Sequence, residues 1–186
     1  METDEEIVVR MATAMDVDFA LPIVAEMEAS AKARGTGIAK RNPATIKEKI
    51  LEGKAVIAFT AEGIWAGFSY IQSWEEQQFV SNSGLIVAPA FRGMKVAQAI
   101  KQKIFELSRL LYPHAKIFSI TTGLPVMKLN TRLGFEPVTY DQITHDPLFW
   151  EGCKSCVNYP ILAGKNYRNC LCTAMLFQPV PVLEQE

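Results

Sequence analysis

Residues 83–99 read SGLIVAPAFRGMKVAQA, and the interpretation of this stretch decides the fold. Gly84-Leu85-Ile86-Val87 is an apolar run of strand type, and Pro89 stops regular pairing because it has no N–H to give a ladder. A basic, glycine-bearing turn follows, Arg92-Gly93-Met94-Lys95. Apolar residues then recur at Val96, Ala97, Ile100, Ile104 and Leu107, which is helical spacing. The stretch is therefore strand, turn, helix. The free N–H groups of the helix start, its dipole and two cationic side chains together suit phosphate oxygens. The plainer alternative is an ordinary β-turn-α connection with an exposed basic turn.

Working outward, Ile7 to Met11 predicts a first strand, and Asp16 is the N-cap candidate for a helix whose apolar face runs through Phe19, Ile23, Val24 and Met27. That helix ends at Arg34-Gly35, and Asn42-Pro43 starts the next in cap-then-proline order. Ala55 to Thr60 and Ile64 to Ile71 form a hairpin around Glu62-Gly63, with the second strand continuing toward Trp74. Phe79 to Ala88 is the fourth strand. After the long helix come Lys116 to Thr122 as a buried strand, a helix opened by Pro125, and Leu133-Gly134-Phe135, where glycine suits a left-handed helix end. Pro137 to Tyr140 begins a last strand.

This order, βααβββαβαβ over residues 7–140, together with the turn Arg92 to Ala97 and Leu133-Gly134-Phe135, resembles the GCN5-related N-acetyltransferase (GNAT) family. The family's phosphate turn reads Q/R-x-x-G-x-G/A; Arg92 and Ala97 match it, and Lys95 stands where glycine is usual. The resemblance implies an α/β (α+β) fold: a mixed sheet of about six to seven strands with a V-shaped splay, flanked by four helices. It divides the chain into a GNAT domain over 1–140 and a cysteine-bearing C-terminal extension over 141–186, packed on it.

It also implies a site. Arg92, Gly93, Met94, Lys95, Val96 and Ala97 would hold the pyrophosphate of acetyl-CoA or another short acyl-CoA. Leu85, Ile86 and Val87 would pair with its pantetheine arm, and Ser119 to Thr122 would form the other wall. The usual general acid is a tyrosine at the place occupied by Asn130, whose side chain has no titratable proton, so Asn130 is kept only as a residue beside the donor. Tyr70, Thr121 and Glu75 are the candidates for proton transfer. The loop between the first two helices covers the acceptor side in this fold, and its Arg34, Lys40 and Arg41 suit a carboxylated acceptor, since guanidinium pairs carboxylate in a fork. GTGIAKR, ITTGLPVMK and the cysteine tail are also similar to short stand-alone acyltransferases of bacterial arginine biosynthesis. That points to transfer of an acetyl or succinyl group to an amino acid such as glutamate. The rival readings are a silent acyl-CoA sensor and a zinc-tail interaction module.

A chain of 186 residues with formal net charge −1 suits one main domain and argues against a nucleic-acid or anionic-membrane partner. The acidic start, METDEEIVVR, has no signal-peptide pattern, so a cytoplasmic enzyme is expected, with a small-molecule acceptor and a homodimer as candidate associations. Cys153, Cys156, Cys170 and Cys172, in a C-x-x-C and C-x-C arrangement, can gather around a structural zinc. Reduced packed cysteines or a redox pair are the competing readings. Val157 to Tyr159 and Ala174 to Phe177 are expected to add strands, and Pro179, Pro181 and the acidic end to form a loose terminus.

Overall fold

The computed structural model describes residues 6–181, so the acidic first residues and the acidic C-terminal end lie outside the described residues. Seven strands form one sheet. In chain order they are β1 (Ile7–Met11), β2 (Ala55–Thr60), β3 (Trp65–Trp74), β4 (Phe79–Val87), β5 (Lys116–Thr121), β6 (Glu136–Val138) and β7 (Thr173–Phe177). They lie side by side as β1-β2-β3-β4-β5-β7-β6. Only β4 and β5 pair in parallel; every other neighbour is antiparallel.

The longer helices cover both faces. Helix α1 (Ala20–Arg34) ends where Gly35 turns left-handed, φ 64°, and α2 (Pro43–Leu51) starts on Asn42, whose side chain accepts from Ala44 N at 2.9 Å. Ile23, Met27, Ile46 and Ile50 from these helices pack with Ile57, Phe68, Tyr70 and Ile86 on one face. On the other face α3 (Val96–Leu111) lays Val96, Ile100, Ile104 and Leu107 against Val56, Ala58, Ile71 and Val80. Helix α4 (Leu124–Arg132) closes as expected: Gly134 has φ 91° and Phe135 N donates to Asn130 O at 3.0 Å, a six-to-one helix end.

Two expectations are corrected. Asp16 does not cap α1. It is buried at the start of a short 3-10 turn, Ala14–Phe19, where it accepts Thr13 N and a two-pronged bond from Arg10 at 2.7 and 2.9 Å. Val157–Tyr159 is not a strand; α6 (Tyr159–Gly164) begins there, after α5 (Pro147–Glu151), and these two helices of the extension join the four, α1 to α4, of residues 1–140. The extension supplies one of the added strands expected of it, β7 over Thr173–Phe177. β7 runs between β5 and β6, with Met175 opposite both Ser119 and Pro137, so the last part of the chain completes the sheet. Among the described residues no helix is long and apolar enough to cross a membrane.

Candidate active site

The site begins where the sheet comes apart. β4 and β5 pair only at Phe79–Lys116, Val80–Ile117 and Ser81–Phe118, so Asn82–Val87 and Ser119–Thr121 diverge into a wedge open toward the C-terminal ends of both strands. Within it β4 bulges: between Phe68–Ile86 and Tyr70–Ser83 the partner strand advances two residues and β4 three. Gly84 carries the extra turn at φ 63°. A Cβ there would stand 2.6 Å from Tyr70 Cε1 and 3.0 Å from Met27 Cε, so glycine is required by both conformation and space. The bulge re-aims the backbone groups of Leu85 and its neighbours beside the wedge.

The mouth of the wedge is the basic turn. Gly93 (φ 83°) and Lys95 (φ 60°, ψ 13°) are both left-handed, and Lys95 is the N-cap of α3 without making a capping bond. The backbone therefore follows the path that glycine would favour at position 95, although a lysine occupies it. The first N–H groups of α3 have no acceptor within the helix and none from their cap, which leaves them for an anion. Arg92, at the start of this turn, reaches α1. Its Nη2 reaches Glu26 Oε1 at 3.0 Å and Ser30 Oγ at 2.6 Å, and its Nε donates to Val87 O at 3.2 Å. Arg92 ties the turn to α1.

On the opposite face, Arg41 Nε donates to Tyr70 OH at 3.1 Å and its Nη1 to Ala39 O. Two residues singled out separately in the sequence thus meet beside the bulge. The loop that carries Arg41 rests on the end of the chain: Lys40 N donates to Ser155 Oγ at 2.9 Å, and a Cβ on Gly37 would lie 2.5 Å from both Cys156 Sγ and Asn158 Nδ2. Arg34 and Lys40 are exposed, whereas Arg41 is half-buried.

No family model and no curated protein matches the sequence. Solved structures do resemble it. N-acetylglutamate synthase from Neisseria gonorrhoeae, complexed with coenzyme A and N-acetyl-glutamate, matches 95% of this chain at 13% identity and TM-score 0.65, and the chain spans 36% of that protein's length. A Mycobacterium tuberculosis protein in complex with CoA and NLQ matches 93% of this chain and 99% of its own at 20% identity and TM-score 0.65. An acetyltransferase of the GNAT family from Listeria monocytogenes matches 72% of this chain and 88% of its own at 16% identity and TM-score 0.58. The fold is the GNAT fold.

Within this GNAT fold several sequence candidates fall elsewhere. Glu75 is not at the wedge. It follows β3 at the end where β4 and β5 are still paired, and its Oε1 accepts from Thr144 Oγ1 at 3.1 Å and His145 N at 2.5 Å, fastening the chain after β6 to the β3–β4 turn. An open groove of about 370 Å³ there, lined by Glu75, Lys116, Asp141 and His145, contains no wedge residue. Thr121, by contrast, lies on the wedge wall at the end of β5, where its Oγ1 accepts Gly123 N at 3.0 Å. Asn130 is fully buried; Nδ2 approaches Met175 Sδ at 3.7 Å and Oδ1 has no partner.

The zinc expectation is also corrected. Among the described residues no group of three or more His, Cys, Asp or Glu is placed to hold a metal ion, and all four cysteines are free. They line one apolar cavity of about 30 Å³ with Tyr140, Trp150 and Leu162. Burial pushes the Cys153 thiol up to about 11 and the Cys172 thiol up to about 12, and neighbouring cysteines add to the rise. Burial thus disfavours the thiolate at both positions in this packing. Lys101, buried on α3 with its Nζ over the Phe135 ring, gives no signal in the sequence: it sits among Gln102 and Lys103 and reads as part of a polar face.

Proposed function

We propose that the protein is an acyl-CoA-dependent N-acyltransferase acting on a small carboxylated amine. The observation that carries this reading is the wedge itself: two parallel strands that part after three pairs, floored by a bulge and closed by an uncapped helix start in a left-handed basic turn. An acyl-CoA suits each part. The turn's N–H groups face the pyrophosphate, the unpaired edge of β4 offers backbone partners to the amides of the pantetheine arm, and the thioester reaches the level of the bulge. The solved structures that share the fold and contain coenzyme A support it.

Chemistry there needs a neutral amine, a polarised carbonyl and a way for the thiolate to leave. Backbone N–H groups at the bulge polarise the carbonyl. Arg41, held on Tyr70, offers the acceptor's carboxylate a guanidinium at the face opposite α3. An amino acid such as glutamate fits that arrangement, and the Neisseria neighbour's N-acetyl-glutamate supports it. The test is mass-spectrometric detection of product after incubation with acetyl-CoA or succinyl-CoA and a panel of amino acids. An N-acylated amino acid establishes the reaction and names both substrates. Tight acyl-CoA binding without product from any pair would instead favour the sensor reading, which Asn130 in place of an acid motivates.

A further inference from the structure

Arg41 is half-buried, and among the described residues no carboxylate lies within ion-pair distance of it. Its guanidinium is fixed all the same. Nε donates to Tyr70 OH at 3.1 Å and Nη1 donates to Ala39 O, so Nη2 is the nitrogen without a partner among the described residues. The loop that carries it is anchored as well: Ile38 packs against the core that holds Met27 and Tyr70, and Lys40 N bonds Ser155 Oγ. A cation held in place, partly withdrawn from water and left without a counter-ion, is set up to receive an anion.

Tyr70 brings that cation to the bulge. It pairs with Ser83 on β4, and its ring lies against Gly84, where a Cβ would stand 2.6 Å from Cε1 and 3.0 Å from Cδ1. Cε1 is bonded to the ring carbon that bears the hydroxyl, so the hydroxyl itself is held beside the bulge. Its oxygen accepts Arg41 Nε, and its hydrogen has no acceptor among the described residues. A guanidinium donating to the oxygen makes the remaining O–H a stronger donor. Two uncommitted donors, Tyr70 O–H and Arg41 Nη2–H, are thus coupled through one hydrogen bond next to Gly84, on the face opposite α3.

We propose that Tyr70 O–H and Arg41 Nη2–H together seat the acceptor's carboxylate, and that this seat, set against the bulge, restricts the protein to amines borne on the carbon next to that carboxylate. This rests on the acyltransferase reading. Two adjacent donors match the two oxygens of one carboxylate. With the thioester carbonyl at the bulge, the attacking nitrogen has to come within about 3–3.5 Å of the carbonyl carbon. In an α-amino acid one carbon separates nitrogen from carboxylate, so both places are filled at once. An amine at the far end of a chain is carried past the bulge when its carboxylate is seated. The neutral α-amine adds to the thioester carbonyl, and the C–S bond breaks with its electron pair on sulfur. The nitrogen loses its proton to water and the thiolate takes one from water, so Tyr70 and Arg41 keep theirs and act by binding.

The test measures kcat/KM with acetyl-CoA and succinyl-CoA for L-glutamate, L-ornithine and the rest of the amino-acid panel, for the α-carboxamide of each, and for 4-aminobutyrate. The α-amino acids that react should do so at least about 30-fold better than their α-amides, the scale of two charge-assisted hydrogen bonds. Ornithine, where it reacts, should carry the acyl group on its α-nitrogen by fragment-ion mass spectrometry. Tyr70→Phe keeps the ring against Gly84; it should raise the acceptor KM about tenfold, leave coenzyme A affinity within about twofold by calorimetry, and shrink the preference for acid over amide. Preference for 4-aminobutyrate or for the side-chain nitrogen of ornithine, equal use of acid and α-amide, or an unchanged acceptor KM in Tyr70→Phe overturns the seat while leaving acyltransfer intact. So does product formed only from amines without a carboxylate. Absence of product from wild type with every acyl-CoA and amine pair overturns the acyltransferase reading and this assignment with it.

Discussion

The two walls of the wedge are built in opposite ways. The wall proposed for the donor is local: the bulge at Gly84, the turn at Gly93–Lys95 and the first turn of α3 all come from one stretch of chain. The wall proposed for the acceptor is assembled from distant pieces, with Arg41 from the loop after α1, Tyr70 from β3, and Ser155, Cys156 and Asn158 from beyond β6 supporting that loop. A locally encoded wall keeps its shape through backbone conformation. An assembled wall depends on contacts that a single side chain can undo.

The largest effect expected is on stability against pH, from Lys101 on the second turn of α3. The folded protein holds Lys101 near 7 and the unfolded chain near 10.5, so between these values the unfolded state binds more protons. Stability should be lowest below pH 7 and rise as pH climbs to 10.5, a span of roughly 5 kcal/mol for a shift of this size. Denaturant titrations across that range should show the slope in wild type and lose it in Lys101→Met. Gly84→Val comes next. It forces a branched side chain into a left-handed position already 2.6 Å from the Tyr70 ring, and should cost about 3 kcal/mol of unfolding free energy together with donor binding.

The acceptor side should respond in KM. Arg41→Ala removes the cation on Tyr70 and should raise the acceptor KM about tenfold while leaving coenzyme A affinity unchanged. If donor affinity fell equally, the two walls would not be separable. Gly37→Ala drives a methyl into Cys156 Sγ and Asn158 Nδ2, side-chain ends that can rotate away, so a rise of about threefold in acceptor KM is expected. Adding Cys156→Ala should restore part of it, and kinetics of the double variant measure the coupling. Smallest is Lys95→Gly, which relieves a non-glycine residue at φ 60° and should gain about 1 kcal/mol by thermal or denaturant unfolding with coenzyme A binding preserved.

The same contrast explains what could be read from the sequence. Gly35 ending α1, Asn42-Pro43 opening α2 and Gly134-Phe135 closing α4 are local devices, and the structure has each where the residues imply. Glu75 could not be placed from its surroundings in sequence, because its partners Thr144 and His145 lie about 70 residues away. Asp16 looked like a cap because its short-range role was visible and Arg10's grip on it across the end of β1 was not. Lys101 is hidden for a related reason: Phe135, brought in from beyond α4, turns one position of an apparently polar helix face into an interior one. The insertion of β7 between β5 and β6 is likewise a tertiary fact that alternation in Thr173–Phe177 does not specify.

The most direct test of the wedge as a donor site is calorimetry of wild type with coenzyme A and, in parallel, with pantetheine, which lacks the pyrophosphate. Seating on the turn at Gly93–Lys95 predicts that coenzyme A binds at least about 100-fold more tightly, the scale of two charge-assisted hydrogen bonds, and that the advantage shrinks with added salt. Equal affinity for the two, or no binding of either, would contradict it.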